Sequence, residues 1–198
     1  MAETKHGCRP FTIADAMILI AATAVGLAWS LSFWKLFSAT IKPFDGTWAA
    51  VQQKVGEFNI PTMPCLICGT VALLIVRLRA PRPSWRRMSR QPGASASLAA
   101  SLTILGTLFV TLGIVTYVVS RDGVPLGFWA MLPSVLMEFF VYFAPFVGFG
   151  VGIAWAMLGI QRRCRCETSW IDRMGRVMGV LWIVHSGIAG PFLILQFF

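Results

Sequence analysis

Five long apolar stretches, separated by short polar connections, dominate the chain. They run over about 12–37, 61–78, 96–120, 132–160 and 176–198. A membrane-spanning helix needs roughly 20 mostly apolar residues, whereas the strands of a membrane barrel alternate polar and apolar positions over about 10 residues. Because these stretches do not alternate, the pattern predicts an all-α fold. We expect a single membrane domain over 1–198, built as an integral membrane bundle of five transmembrane helices.

Two helix starts carry the same polar signature. Thr12 is followed three positions later by Asp15, and Ser169 by Asp172. A hydroxyl followed at that spacing by an acid is typical of a capping box. The pattern therefore predicts Thr12 and Ser169 as N-caps, with the last helix beginning as an amphipathic segment before its apolar part.

A further short helix is predicted in the first polar connection, at about 45–58. Trp48, Val51, Val55 and Phe58 recur at helical spacing, with polar residues between them. Such a segment lies on a membrane surface or packs over a bundle. We therefore expect a short external amphipathic helix separate from the second span.

Composition and charge place the chain in a membrane with a definite orientation. Only 13% of residues are charged and 57% are hydrophobic, against about 25% charged in soluble domains. Of the 17 lysines and arginines, two precede the first stretch, six lie at 77–90 and five at 162–176. If the stretch at 61–78 crosses the membrane, these thirteen basic residues all lie on the same side of it. The positive-inside rule then predicts a cytoplasmic N-terminus and an external C-terminus in a bacterial inner membrane.

The net charge of +9 does not indicate nucleic-acid binding, because no nucleic-acid-binding motif accompanies it. We expect the arginine-rich connection at 77–90 to attract anionic lipid head groups of the bilayer. Small residues recur at intervals of four in the first and fourth stretches and predict close helix packing. That packing is expected within the bundle, with a homo-oligomer or another membrane subunit as the alternative. These rows are Ala22, Gly26 and Ser30, and Ala144, Gly148, Gly152 and Ala156.

Cys65 and Cys68 form the sharpest candidate for chemistry. Their C-x-x-C spacing suits a reversible disulfide, and a position near the start of the second span would favour a thiolate through the helix dipole. The segment Pro64-Cys65-Leu66-Ile67-Cys68 resembles the motif of DsbB-like quinone-linked disulfide oxidases. That resemblance implies a membrane thiol-disulfide oxidoreductase with Cys65 and Cys68 as catalytic residues. The family's second external cysteine pair and the arginine after its motif have no counterpart here, and free cysteines also serve as small apolar residues.

Ionisable residues within the apolar stretches are a second candidate site. His185 lies near the middle of the fifth stretch and Glu138 near the outer end of the fourth. Intramembrane ionisable groups are costly and often mark proton or solute paths. This pair therefore suggests a small transporter or proton-conducting protein, with a hydrogen-bonded structural histidine as the alternative. A haem held by two histidines is excluded within one chain, because the other histidine, His6, lies outside the apolar stretches.

No metal or cofactor is predicted. Four residues at the basic side could together supply zinc ligands, but their C-x-C spacing is tighter than usual, and unliganded thiols are expected in a reducing compartment. These residues are His6, Cys8, Cys164 and Cys166.

The F-T-I-A-D opening and the Arg-Pro-rich second connection resemble small multi-pass membrane proteins of bacteria, and that resemblance implies no activity. The leading interpretation is a non-enzymatic multi-pass inner-membrane protein, acting as a small subunit or scaffold of a membrane complex. Thiol-disulfide exchange at Cys65 and Cys68, and conduction through His185 and Glu138, are the two alternatives.

Overall fold

The computed structural model of the protein describes residues 11–38, 48–79, 90–122, 128–160 and 169–197. Within these ranges, side chains are described except at 36–38, 48–56, 60, 122, 128–143 and 191–197. These ranges form five helices and contain no strand. The helices are α1 (Ile13–Ser38), α2 (Trp48–Leu78), α3 (Pro92–Asp122), α4 (Phe128–Ile160) and α5 (Trp170–Phe197).

Three of the helices contain segments long and apolar enough to cross a bilayer, which needs roughly 20 apolar residues. These segments are Ile13–Lys35, Glu57–Leu78 and Pro92–Arg121. In α4, the described apolar segment Ala144–Ile160 is shorter. The predicted all-α fold is thereby confirmed. The described residues form five helices, of which three have membrane-crossing length and hydropathy.

The bundle is organised around α2 and α5. Helix α2 packs along α1 and also contacts α3, α4 and α5, while α3, α4 and α5 contact one another. Trp182 of α5 is fully buried at the centre, where it joins Met63 of α2 in the apolar core. Its indole Nε1 donates to Thr70 Oγ1 at 2.9 Å, so even the largest core side chain has its polar atom satisfied.

One end of the bundle gathers the starts of α1, α3 and α5 and the ends of α2 and α4. The ring of Phe11 meets Trp170 edge-on with centroids 4.7 Å apart. Trp155, near the end of α4, donates its indole N–H to the Pro92 carbonyl at 2.9 Å. Arg77 at the end of α2 reaches Asp172 at the start of α5. Successive helices therefore alternate in direction.

The two predicted capping pairs behave differently. At α1 the box is complete: the Asp15 N–H donates to Thr12 Oγ1 at 3.3 Å, and the Thr12 N–H donates to Asp15 Oδ2 at 3.1 Å. At α5, Ser169 Oγ accepts from the Asp172 N–H at 3.3 Å, so Ser169 is confirmed as a capping residue. The Asp172 carboxylate instead bonds residues of α2 and α3.

Helix α2 corrects the prediction of a separate external helix at about 45–58. It begins at Trp48 and continues through Pro61 and Pro64 to Leu78, so the predicted surface helix and the second span are one element. Each proline lacks the backbone donor that would bond the carbonyl four residues earlier, at position 57 or 60. Two hydroxyls form hydrogen bonds to other carbonyls of this segment. Thr62 Oγ1 donates to the Phe58 carbonyl at 2.9 Å, and Ser30 Oγ of α1 donates to the Pro61 carbonyl at 2.6 Å.

The small-residue row of α1 forms the α1–α2 contact. A Cβ added at Gly26 would lie 3.0 Å from the Cys65 Cα atom. One turn further on, buried Ser30 reaches the Pro61 carbonyl. This row is therefore a packing seam within the bundle.

The row of α4 divides between two surfaces. Ala144 and Gly148 are buried, and a Cβ at Gly148 would collide with Ser186 of α5, whereas a Cβ at Gly152 meets nothing within 4 Å. A row with a spacing of four drifts around a helix of 3.6 residues per turn. Its second half consequently lies on the outside of the bundle.

We predict that Gly26→Leu weakens the α1–α2 contact by about 1–3 kcal/mol, because a larger side chain overpacks the seam against the Cys65 backbone. Thermal unfolding in a mild detergent measures the effect. Gly106→Leu is the matched control, since an added Cβ at Gly106 meets nothing within 4 Å. Equal unfolding temperatures for the two variants would contradict this account of the seam.

Candidate functional site

Polar side chains buried in the apolar bundle are the candidates for a site, because burying them is costly without a partner or a purpose. Three groups of them contact neighbouring helices, whereas others, such as Thr107 and Thr111, form hydrogen bonds within their own helix. One group surrounds the cysteines of α2, one lies around His185, and one joins α2, α3 and α5 at the end where Arg77 meets Asp172.

The cysteines lie in the middle of a helix. Helix α2 starts at Trp48, several turns before Cys65, and the dipole effect is confined to the first turn. The predicted placement of Cys65 and Cys68 near a helix N-terminus is therefore wrong, and with it the predicted stabilisation of a thiolate by the dipole.

Cys65 packs as a small residue in the α1–α2 seam. Its Sγ lies 3.5 Å from Ser30 Oγ, and its Cα faces Gly26. Cys65 and Cys68 are both free thiols of intermediate exposure. This arrangement supplies close helix contact, while redox chemistry at the pair stays a prediction.

His185 is buried, with 3% of its surface exposed, between aromatic rings of two helices. Its ring centroid lies 6.1 Å from that of Phe58 in α2 and 6.2 Å from that of Trp182. The Nε2 atom makes no hydrogen bond in the structure. Asn59, next to Phe58, is also fully buried, and both of its amide atoms lack a hydrogen-bond partner. Sequence reasoning missed Asn59, although an amide beside the apolar positions of α2 was a visible signal.

The side chain of Glu138 lies outside the described residues, so its relation to His185 follows only from the helix backbone. Ser186, next to His185, donates through Oγ to the Ala144 carbonyl at 3.0 Å. Glu138 precedes Ala144 by six positions, which is about 9 Å along the helix axis. A conducting path through this pair stays a prediction.

The third group is centred on the carboxylate of Asp172, which is fully buried. Its Oδ1 accepts from Arg77 Nη2 at 3.3 Å and from the Gly93 backbone N–H at 2.9 Å. Arg77 Nη2 also donates to Gln91 Oε1 at 2.6 Å, and Arg176 Nε lies 3.6 Å from Asp172 Oδ2. We call these five residues the Asp172 clamp.

The clamp meets the electrostatic needs of three helix ends at once. Gly93 belongs to the first turn of α3, whose backbone donors have no partner within the helix. The preceding residue is Pro92, which has no N–H and is favoured at the first helical position. Asp172 therefore caps α3 from α5, at the positive end of the α3 dipole. It also neutralises Arg77, which is 4% exposed at the end of α2.

The clamp leaves no room for side chains where its helices meet. A Cβ at Gly93 would lie 2.6 Å from Asp172 Oδ1, and a Cβ at Gly175 would lie 2.9 Å from the Gly93 carbonyl carbon. The sequence pattern gives Arg77 only as one of six basic residues at 77–90, and Asp172 as part of a capping box. No local pattern links residues separated by 95 positions, so only the fold brings them together.

The four residues considered as zinc ligands, His6, Cys8, Cys164 and Cys166, lie outside the described residues. Among the residues that the structure does describe, no group of three or more His, Cys, Asp or Glu is placed to hold a metal ion. The Asp172 clamp holds paired charges between helices.

No protein-family model matches the chain, and neither a curated protein nor a solved structure is detectably similar to it.

We predict that Asp172→Asn destabilises the protein by about 3–5 kcal/mol, because Arg77 would stay buried without its counter-charge. Thermal or denaturant unfolding in detergent checks this. Arg173→Gln is the matched control, because its side chain is an exposed neighbour on the same helix. Adding Arg77→Met to Asp172→Asn should recover part of the loss. A double variant that shows simple additivity would contradict the pairing.

Proposed function

We propose that this chain is a non-enzymatic multi-pass protein of the bacterial inner membrane that serves as a small subunit or scaffold of a membrane complex. The observation that carries the proposal is a row of small residues on the outside of α4. Gly152, Ala156 and Gly159 lie there, and an added Cβ at either glycine meets nothing within 4 Å.

No described residue approaches these positions closely enough to require glycine. In a helix interior glycine costs about 1 kcal/mol relative to alanine. At Gly148 the cost is offset by a close approach to α5, since a Cβ there would lie 2.5 Å from the Trp182 carbonyl oxygen. At Gly152 and Gly159 no neighbour requires it. Small residues on an outward helix face allow a partner helix to approach closely, which is how membrane helices associate.

The outer surface of the bundle supports insertion in a bilayer. Large apolar side chains are exposed along α1 and α3, for instance Ile13 at 82% and Phe109 at 72%. In water such continuous apolar surface promotes aggregation, whereas lipid covers it without cost. We propose five crossings in this membrane, with the N-terminus cytoplasmic and anionic lipid head groups around the arginines.

The subunit proposal is tested by the oligomeric state in mild detergent. The purified chain has a mass of 21.8 kDa, and we expect an assembly larger than one copy by size exclusion with light scattering. Gly152→Leu should weaken the association about tenfold, or ~1.4 kcal/mol, by blocking close approach. Gly106→Leu should leave it unchanged, because this open glycine of α3 has Leu102 and Val110, rather than small residues, one turn away on the same face. A lone monomer with no co-purifying partner would refute the proposal.

The orientation is tested independently with reporter fusions. Because thirteen basic residues lie on the proposed cytoplasmic side, alkaline phosphatase fused after Phe198 should be active and a fluorescent protein there dark. Fusion after Arg90 should give the opposite pair of results. Phosphatase activity at the second position would rule out the proposed topology.

A further inference from the structure

A groove on the outer surface of α5 begins at arginines and continues over apolar side chains. It has a volume of about 390 Å³ and is lined by Arg173, Arg176, Val177, Val180 and Leu181. We call it the α5 groove. None of its lining residues belongs to the core, and the opposite face of the helix, at Gly175 and Gly179, packs against α3 and α4.

The spacing of these residues divides the groove into a charged head and an apolar floor. Positions 173, 176, 177, 180 and 181 share one face of a helix. Val180 lies seven residues beyond Arg173, which is about 10 Å along the axis. The head is at the end of the bundle where the other arginines gather, and the floor runs towards the apolar middle of the helix.

The head of the groove carries excess positive charge. Arg173 is exposed, and Arg176 is 39% exposed. Arg176 contacts Asp172 through Nε at 3.6 Å, but the single negative charge of Asp172 is shared with buried Arg77. None of the described residues that line the groove is a carboxylate. An anion at the head is therefore favoured by charge, and an apolar chain on the floor by burial.

We propose that the α5 groove binds one anionic phospholipid. Its phosphate would contact Arg173 and the exposed edge of Arg176, and one acyl chain would lie over Val177, Val180 and Leu181. Arginine suits this role because its planar fork donates two parallel hydrogen bonds to phosphate oxygens. The site rests on the proposed membrane insertion and goes beyond it, since it assigns one lipid to one groove rather than a general attraction to head groups.

Binding at this position would also act on the Asp172 clamp. Asp172 carries one negative charge and contacts two arginines, Arg77 and Arg176. A phosphate beside Arg176 would balance the remaining positive charge. A ligand that binds only the folded state stabilises that state by mass action. We therefore expect the lipid to raise the unfolding temperature as well as to bind.

The test uses the full chain purified in a non-ionic detergent and titrated with phosphatidylglycerol, with binding followed by native mass spectrometry and by thermal unfolding. Loss of a charged hydrogen bond to phosphate should weaken binding about tenfold in Arg173→Gln. Arg90→Gln is the matched control, an exposed arginine at the same end of the bundle but outside the groove. Arg173→Lys, which keeps the charge but loses the fork, should be intermediate.

Two further measurements test the role of the apolar floor and whether the bound phosphate belongs to a lipid. Val180→Trp fills the floor and should also weaken phosphatidylglycerol binding, while phosphatidylcholine and inorganic phosphate should bind the wild type weakly. Equal losses in the Arg173 and Arg90 variants, or strong inorganic phosphate binding alone, would overturn the lipid site. Unfolding without lipid checks that each variant folds. A chain absent from the membrane fraction would defeat the proposed function itself, whereas an inserted chain with an unselective groove would defeat only this site.

Discussion

The buried carboxylate of Asp172 is the interaction on which the rest of the bundle depends. A charge removed from water must be paired and hydrogen-bonded, and this one finds Arg77 of α2 and the Gly93 amide of α3 at the same oxygen. The pairing determines where three helix ends meet. It also requires glycine at 93 and 175, because any Cβ there would enter the contact. Once these ends are placed, the rest of α2 and α5 comes into contact along the core around Trp182.

Helix α1 is joined to this core chiefly through α2. Small residues at Gly26 and Ser30 allow the backbones of α1 and α2 to approach closely. The Ser30 hydroxyl also donates to the carbonyl of Pro61 in α2. The same contact explains why Cys65 behaves as a small packing residue. A motif that suggests redox chemistry in the linear chain thus has a structural use, and both of its thiols remain free.

The proposals for function follow from the outer surface of the bundle rather than from its interior. Open glycines on α4 and the α5 groove both lack a neighbour within the described residues. The first suits a helix of another subunit and the second a phospholipid. Inside the bundle, His185 Nε2 and both amide atoms of Asn59 are buried without a hydrogen-bond partner. They are the natural positions to examine for proton or solute movement.

The sequence by itself determined the features that are local or additive. Apolar runs predicted the five helices, and the spacing of Thr12 and Asp15 predicted a cap that forms as expected, because hydropathy and capping both depend on residues that are near one another in the chain. Only the tertiary structure decided how distant residues are used. In the structure, α2 continues through Pro61 and Pro64, and the small-residue row of α4 lies partly inside and partly outside the bundle. The carboxylate of Asp172 bonds Arg77 and Gly93 instead of capping its own helix. The reason is physical: in an apolar bundle, a buried charge is paired by whichever neighbouring helix supplies a partner, and sequence spacing does not record which helix that is.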